Sequence, residues 1–219
     1  MKVLITSGGC KAPIDEIRHI GNFSSGRYGS EIMEEFTSQP NVEIVFFHER
    51  GTNQSQYGPG DIELFGNSKL KFIEYKYYGD YLKVKDIIKE WQPDIIISVA
   101  AISDYIPVKT EGKISSDSDE ITIVCKKSEK VIKSFRELAP GAYIVGFKCL
   151  VGPTKEEKDR AIEKVFDSKV NMVVYNDLLE LRKGYSARQI IRNIKNEKNS
   201  FPLYAERAKD LVDLILADR

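Results

Sequence analysis

Apolar positions recur along the chain at two alternating periods. Lys2–Thr6 and Val42–Phe47 are short β-branched and aromatic runs, and between them Tyr28, Ile32, Met33 and Phe36 fall on one helical face. Lys71–Tyr75 is a further strand. A helix from Asp80 follows, with Tyr81, Val84, Ile87, Ile88 and Trp91 as its apolar stripe and Pro93 at its end. Asp94–Val99 is continuously apolar, as expected of a strand covered on both faces. Val131, Ile132, Phe135 and Leu138 then mark a helix, Ala142–Phe147 a strand, and Thr154-x-x-Glu157 a capping box that opens a helix to about Asp167. Asn171–Tyr175 and Arg188–Ile194 read as strands, and Ala208, Leu211, Val212 and Ile215 as one side of a last helix. This alternation predicts one α/β domain over residues 1–219, doubly wound on a mostly parallel, Rossmann-like sheet. Two stretches break the rhythm. Gly51–Lys69 is glycine-rich and polar and predicts a mobile surface loop, whereas Ile106–Ile123, with Pro107 and Gly112, predicts an extended antiparallel flap.

Charge narrows the function. Lys and Arg total 33 against 33 Asp and Glu, so the basic excess of a protein that binds nucleic acid by bulk charge is missing. Apolar runs such as Ile95–Ile97 and Met172–Val174 fall far short of the roughly 20 residues of a bilayer span. Met1–Thr6 leads straight into a glycine pair and is too short and strand-like for a signal segment, so a cytoplasmic location without membrane contact is expected. Cys10, Cys125 and Cys149 are far apart and form no C-x-x-C pair, which predicts buried thiols rather than disulfides or a zinc site. Cys10 stands apart only by its glycine-rich turn.

In an open α/β sheet, ligands gather beyond the carboxyl ends of the strands, and phosphates gather at helix N-termini. Ser7-Gly8-Gly9 closes the first strand, and Asn22-Phe23-Ser24-Ser25-Gly26-Arg27-Tyr28-Gly29 opens the first helix. Small and hydroxylated residues there let backbone amides approach a phosphate, though the same residues also suit a polar loop with a serine cap. Val99–Tyr105 ends the apolar strand: Ala100 and Ala101 leave room for a ligand, and Asp104 suits a metal, a ribose hydroxyl or an Asx-turn. Lys113 in the flap suits either closure over a phosphate or plain solvation. Asn176-Asp177 ends another strand at the same rim, or forms an ordinary turn.

Two tyrosine–lysine pairs imitate the acid/base pair of short-chain dehydrogenases. Tyr105 and Lys109 are separated by the helix-breaking Pro107, and Tyr81 of the Tyr81–Lys85 pair belongs to an apolar stripe. The G-x-G-x-x-G fingerprint is missing as well. His19 and His48 have no ligand cluster around them, which leaves them structural or solvated.

Taken together, the blocks Ile14–Arg18 with Asn22–Arg27, Ala100–Tyr105, Lys113–Ser116, Val145–Lys148 and Asn176–Leu178 resemble phosphopantothenate–cysteine ligases in order and approximate spacing, over about residues 2–216. The methionine just before the first strand is similar to the stand-alone form, which lacks a fused flavin-dependent decarboxylase. The resemblance implies a step of coenzyme A synthesis: the carboxylate of 4′-phosphopantothenate attacks a nucleoside triphosphate, CTP or else ATP, and cysteine displaces the nucleotide. It also implies Mg²⁺ and a homodimer.

By position, the resemblance assigns Asn22 and Lys113 to catalysis, with Asn22 holding the acyl intermediate beside Asn176. It assigns Gly8, Gly9, Ser24, Ser25, Gly26, Ala100, Ala101, Asp104 and Phe147 to the nucleotide, with Asp104 also at the metal. The chain departs from the fused enzymes at Cys10-Lys11, Ser115-Ser116 and Lys148-Cys149-Leu150, which leaves the choice of nucleotide open. The competing expectation is a regulatory paralogue that binds nucleotide without the chemistry.

Overall fold

A computed structural model describes residues 1–52, 63–65, 68–193 and 203–219. In chain order the elements are β1 (Lys2–Ser7), β2 (Lys11–Pro13), β3 (His19–Gly21), α1 (Arg27–Thr37), β4 (Glu43–Glu49), β5 (Glu63–Phe65), β6 (Ser68–Tyr75), α2 (Tyr78–Tyr81), α3 (Val84–Trp91) and β7 (Ile95–Ser98). They continue as β8 (Tyr105–Pro107), β9 (Cys125–Lys127), α4 (Ile132–Leu138), β10 (Tyr143–Leu150), α5 (Lys155–Phe166), β11 (Met172–Asp177), α6 (Leu178–Arg182), β12 (Arg188–Arg192), β13 (Leu203–Ala205) and α7 (Ala208–Asp218).

Among the described residues the main sheet has nine strands in the order β13-β12-β11-β10-β7-β1-β4-β6-β5. Its central strands pair in parallel, with Ile5 beside Phe46 on one side and Ile97 on the other, while β5, β12 and β13 are antiparallel at the edges. Numbered by their own sequence, the parallel strands lie in the order 3-2-1-4-5-6, which in doubly wound sheets opens a crevice where the order reverses. That reversal falls between β1 and β7.

Alternation along each strand feeds two cores. Val3, Ile5, Phe46 and Ile97 pack with Ile32, Met33 and Phe36 of α1 and Leu211, Val212 and Ile215 of α7. Leu4, Phe47 and Ile96 face the other way, onto Val84 and Ile88 of α3, Phe135 of α4 and Ile162 and Val165 of α5. Full burial of each such side chain contributes about 1.5–3 kcal/mol, so both helical layers are held by the strands whose carboxyl ends build the crevice. The capping box at Thr154 forms as predicted: Thr154 Oγ1 accepts from Glu157 N at 3.2 Å, and Thr154 N donates to Glu157 Oε2 at 2.9 Å.

Four expectations are adjusted. The single helix from Asp80 is instead α2 followed by α3, because Lys83 N bonds Asp80 O and Lys85 N bonds Leu82 O in tight i to i+3 turns between them. The loop expected over Gly51–Lys69 falls largely outside the described residues; of its described part, Glu63–Phe65 and Ser68–Lys69 are strand. Of the strand expected over Arg188–Ile194, Arg188–Arg192 is β12, and Ile194 lies outside the described residues. Cys10 is buried, but Cys125 and Cys149 are exposed, since one lies on the small β8–β9 pair and the other where β10 runs out past the core. The flap is present as β8 and β9 with residues 108–124 between them. No helix among the described residues is long and apolar enough to cross a membrane.

Candidate active site

A cleft of about 600 Å³ opens beyond the carboxyl ends of β7, β10 and β11, against the start of α1. Its first wall is the chain from Asn22 into the first turn of α1. Gly26 caps this helix in the left-handed region, φ 72°, and offers no side-chain cap, so the first-turn amides keep the anion-attracting end of the helix open to a ligand. Close approach makes glycine necessary here. A Cβ on Gly26 would run into Thr52, and one on Gly29 would run into Ser7, whose Oγ donates to Gly26 O at 3.0 Å.

The second wall is Ser98–Asp104. Asn22 joins the two walls: its Nδ2 donates to Ala101 O at 3.1 Å, and its Oδ1 accepts from Ser103 Oγ at 3.3 Å. Ser128 extends the network, donating from Oγ to Ser103 O at 2.7 Å and from N to Asp104 O at 2.9 Å. Phe147 and Asn176, from the ends of β10 and β11, close the floor, and Asn176 Oδ1 is buried with no hydrogen-bond partner among the described residues. A buried acceptor left unpaired costs about 1–3 kcal/mol, which a ligand N–H at this position would offset.

Asn22, Ser24, Ser25, Gly26, Ala100, Ala101, Asp104, Phe147 and Asn176 therefore share one cleft although they are spread along most of the chain. Gly8 and Gly9 do not line it. Gly8 turns the chain at φ 91°, and Gly9 lies so close to Asn22 that a Cβ would sit 2.7 Å from its carbonyl oxygen, so both shape the wall from behind. Lys113 is exposed and lies outside the lining. Its flap is fastened to the β2–β3 hairpin: Thr110 N bonds Ile14 O at 2.8 Å, Glu16 N bonds Gly112 O at 3.1 Å, and Ile114 N bonds Asp15 Oδ2 at 3.1 Å. Arg18 donates to the same carboxylate through Nε at 2.9 Å and Nη2 at 2.6 Å, and it holds Asp15 well below the usual carboxylate range.

Some cleft residues are not apparent in the sequence. Arg188 of β12 stacks its guanidinium 3.4 Å from the ring centre of Tyr28, whose edge meets Phe147 at 6.1 Å between centroids. Burial pushes the Tyr28 phenol up to about 12, so it stays protonated. Arg188 sits in an unremarkable edge-strand pattern and reaches the cleft only through sheet order. Lys148, directly after Phe147, could have been found from the rule that strand carboxyl ends face ligands. Burial likewise raises the Cys10 thiol to about 11, which leaves it a poor nucleophile. His48 is buried, and Tyr81 is buried in the core while Lys85 pairs with Glu129 at 2.7 Å, so no dehydrogenase pair forms.

Sheet order and cleft position define a doubly wound α/β protein whose cleft opens at the switch point. The chain belongs to the family of the DNA/pantothenate metabolism flavoprotein C-terminal domain, whose model matches residues 1–50 and 82–217. It is 32% identical over 179 residues to the coenzyme A biosynthesis bifunctional protein CoaBC of Methanocaldococcus jannaschii, covering 81% of this chain and 40% of that protein. It is 29% identical over 221 residues to phosphopantothenate--cysteine ligase 1 of Arabidopsis thaliana, covering 81% of this chain and 69% of the relative. The chain thus spans about two fifths of the bifunctional protein. Among solved structures it superposes on the DNA/pantothenate metabolism flavoprotein from Streptococcus pneumoniae with a TM-score of 0.80 at 24% identity, covering 100% of this chain and 97% of the other. Cab2 in complex with phosphopantothenate-cysteine gives a TM-score of 0.74 at 18% identity, with coverage of 99% and 85%.

Proposed function

We propose that the chain joins 4′-phosphopantothenate to cysteine at the expense of a nucleoside triphosphate, CTP or ATP. The observation that carries this reading is the convergence of Asn22, Ser24–Gly26, Ala100, Ala101, Asp104, Phe147 and Asn176 on one cleft at the switch point. The kinship with phosphopantothenate–cysteine ligase 1 and the Cab2 complex supplies the substrate class.

In the first step a pantothenate carboxylate oxygen attacks the α-phosphorus and pyrophosphate leaves. In the second, the cysteine amine attacks the acyl carbon, loses a proton and expels the nucleoside monophosphate. Amides at the start of α1 hold phosphate oxygens. Asn22 keeps the two walls at fixed separation and presents its amide to the acyl group, so it orders both steps. Asn176 Oδ1 accepts a substrate N–H. Phe147 and Tyr28 give the floor apolar surface.

Asp104 is the carboxylate assigned to Mg²⁺. Mg²⁺ of this kind is commonly held by one or two carboxylates together with substrate phosphates rather than by a protein cage. When bound, Mg²⁺ offsets phosphate charge. Lys113 lies outside the cleft, so its role requires the flap to swing inward or a second copy to supply it; the homodimer belongs to the proposal on that account.

The test is pyrophosphate release measured with CTP and ATP side by side, each with and without phosphopantothenate and cysteine. Release that needs phosphopantothenate, and product that needs cysteine, are expected. Nucleotide binding with no release under any combination would instead identify a regulatory paralogue.

A further inference from the structure

The Asn22 amide is gripped at both ends by one turn. Its Nδ2 donates to Ala101 O at 3.1 Å, and its Oδ1 takes the Ser103 hydroxyl at 3.3 Å. An amide oxygen only accepts, so Ser103 is the donor. Asn22 is exposed, whereas Ser103 is only 8% exposed, so the hydroxyl that meets Oδ1 is shielded from competing water. Both anchors are themselves tied down. Cys10 N donates to Ala101 O at 3.1 Å, and Ser128 Oγ donates to Ser103 O at 2.7 Å. The terminal torsion of an asparagine is broad and roughly two-fold. The Ala101 carbonyl alone therefore selects which end of the amide faces the backbone but lets the amide plane swing, and the Ser103 contact at the other end stops it. An asparagine amide carries two donor hydrogens and an acceptor oxygen with two lone pairs, so these bonds leave one N–H and one lone pair for a ligand.

We propose that Ser103 is the positioning residue of the Asn22 amide: its buried hydroxyl fixes the amide plane in the setting that offers the free N–H to the acyl group, and so sets the rate of the acyl steps. A hydroxyl that donates to the amide oxygen also polarises the amide and strengthens its remaining N–H as a donor. Ser103 acts through Asn22 and not on the reacting atoms. The acyl chemistry rests on the ligase reading; the fixed amide plane does not.

The experiment compares Ser103→Ala with the unaltered full chain, alone and in an Asn22→Ala background. In single turnovers of labelled phosphopantothenate, formation and transfer of the intermediate should slow by about fivefold to tenfold, as loss of one hydrogen bond implies, with nucleotide affinity nearly unchanged. In the Asn22→Ala background the same change should cost nothing further, since its whole effect runs through that amide. An equal loss in both backgrounds would overturn the proposal. So would a fall in nucleotide affinity that matches the fall in rate, because a serine that merely seats the turn before Asp104 would behave that way. A second readout needs no turnover: nitrogen NMR relaxation of the Asn22 side-chain amide, its resonance assigned by its loss in Asn22→Ala. The amide should be rigid in the wild type and mobile in Ser103→Ala, and equal mobility in the two would sink the idea whatever the rates. If the wild type turns nothing over, the ligase reading fails and the amide relaxation still decides the positioning.

Discussion

The side-chain amide of Asn22 donates to the carbonyl oxygen of Ala101 at 3.1 Å, so one hydrogen bond spans the two walls of the cleft. An ionised carboxylate can only accept. Asn22→Asp would therefore set an anion against the Ala101 carbonyl and against the substrate phosphates, at a cost of about 1–3 kcal/mol. We expect weaker nucleotide binding and slowing of both steps, read in single turnovers of labelled phosphopantothenate with and without cysteine. Normal formation and normal transfer of the intermediate would remove Asn22 from the mechanism.

Lys113→Ala should leave nucleotide affinity nearly intact in a chain whose flap is held away from the cleft, yet slow pyrophosphate release. Losing a preorganised charge from a transition state costs about 2.7–4 kcal/mol. If the lysine acts across a dimer, mixing Lys113→Ala with an Asn22→Asp chain should restore part of the activity, because one of the mixed sites then holds both native residues. Unchanged release by Lys113→Ala alone would end the assignment.

The strands and most helices were legible because Ile95–Ile97 and Met172–Val174 are short, β-branched apolar runs of the kind a doubly covered strand needs, and because Thr154 and Glu157 have the spacing of a capping box. The cleft was legible wherever its lining lies near the carboxyl end of a strand, as Ala100 and Ala101 do just past β7 and Phe147 and Asn176 do within the carboxyl-terminal halves of β10 and β11. Arg188 was not, since an arginine beside Ile190 and Ile191 looks like any edge-strand position until the sheet order sets β12 next to β11. The β2–β3 hairpin escaped because its strands are so short, Lys11–Pro13 and His19–Gly21, and their pairing is fixed by the flap more than by alternation. The gap between α2 and α3 escaped for the opposite reason: Tyr81, Val84 and Ile88 keep helical spacing through a break that only backbone bonding reveals.

Asp15 gives the flap a pH dependence. Its native carboxyl is held down chiefly by Arg18, assisted by amides that include that of Ile114. A carboxylate with a depressed native pKa adds stability that is fully present above its unfolded value, about 3.9, and is lost as pH falls toward the native one. Proteolysis within residues 108–124 should therefore stay slow at neutral pH and accelerate below about pH 4. In Asp15→Asn the neutral amide loses the Arg18 ion pair, so cleavage should be fast already at neutral pH. Equal cleavage rates in the two proteins at pH 7 would show that Asp15 does not fasten the flap.

Gly29 and Gly79 offer a matched test of how tightly the first turn of α1 is packed, because both are helical and only one has neighbours. At Gly29 a Cβ would collide with Ser7 Oγ and lie 2.7 Å from Ser7 Cβ, at the buried end of β1. At Gly79 nothing lies within 4 Å. Replacing a helical glycine by alanine gains up to about 1 kcal/mol when the site is open, whereas overpacking a filled site costs about 1–3 kcal/mol. Gly79→Ala should accordingly raise the urea midpoint and leave nucleotide affinity alone. Gly29→Ala should lower the midpoint, since the clash outweighs the helix gain, and it should also weaken nucleotide binding, because relief of the clash displaces α1 from β1 and with it the amides beside Gly26. A Gly29→Ala chain as stable as wild type, with unchanged nucleotide affinity, would mean that the first turn of α1 has room to shift and that its contact with Ser7 does not set the geometry of the helix end proposed to hold the phosphates.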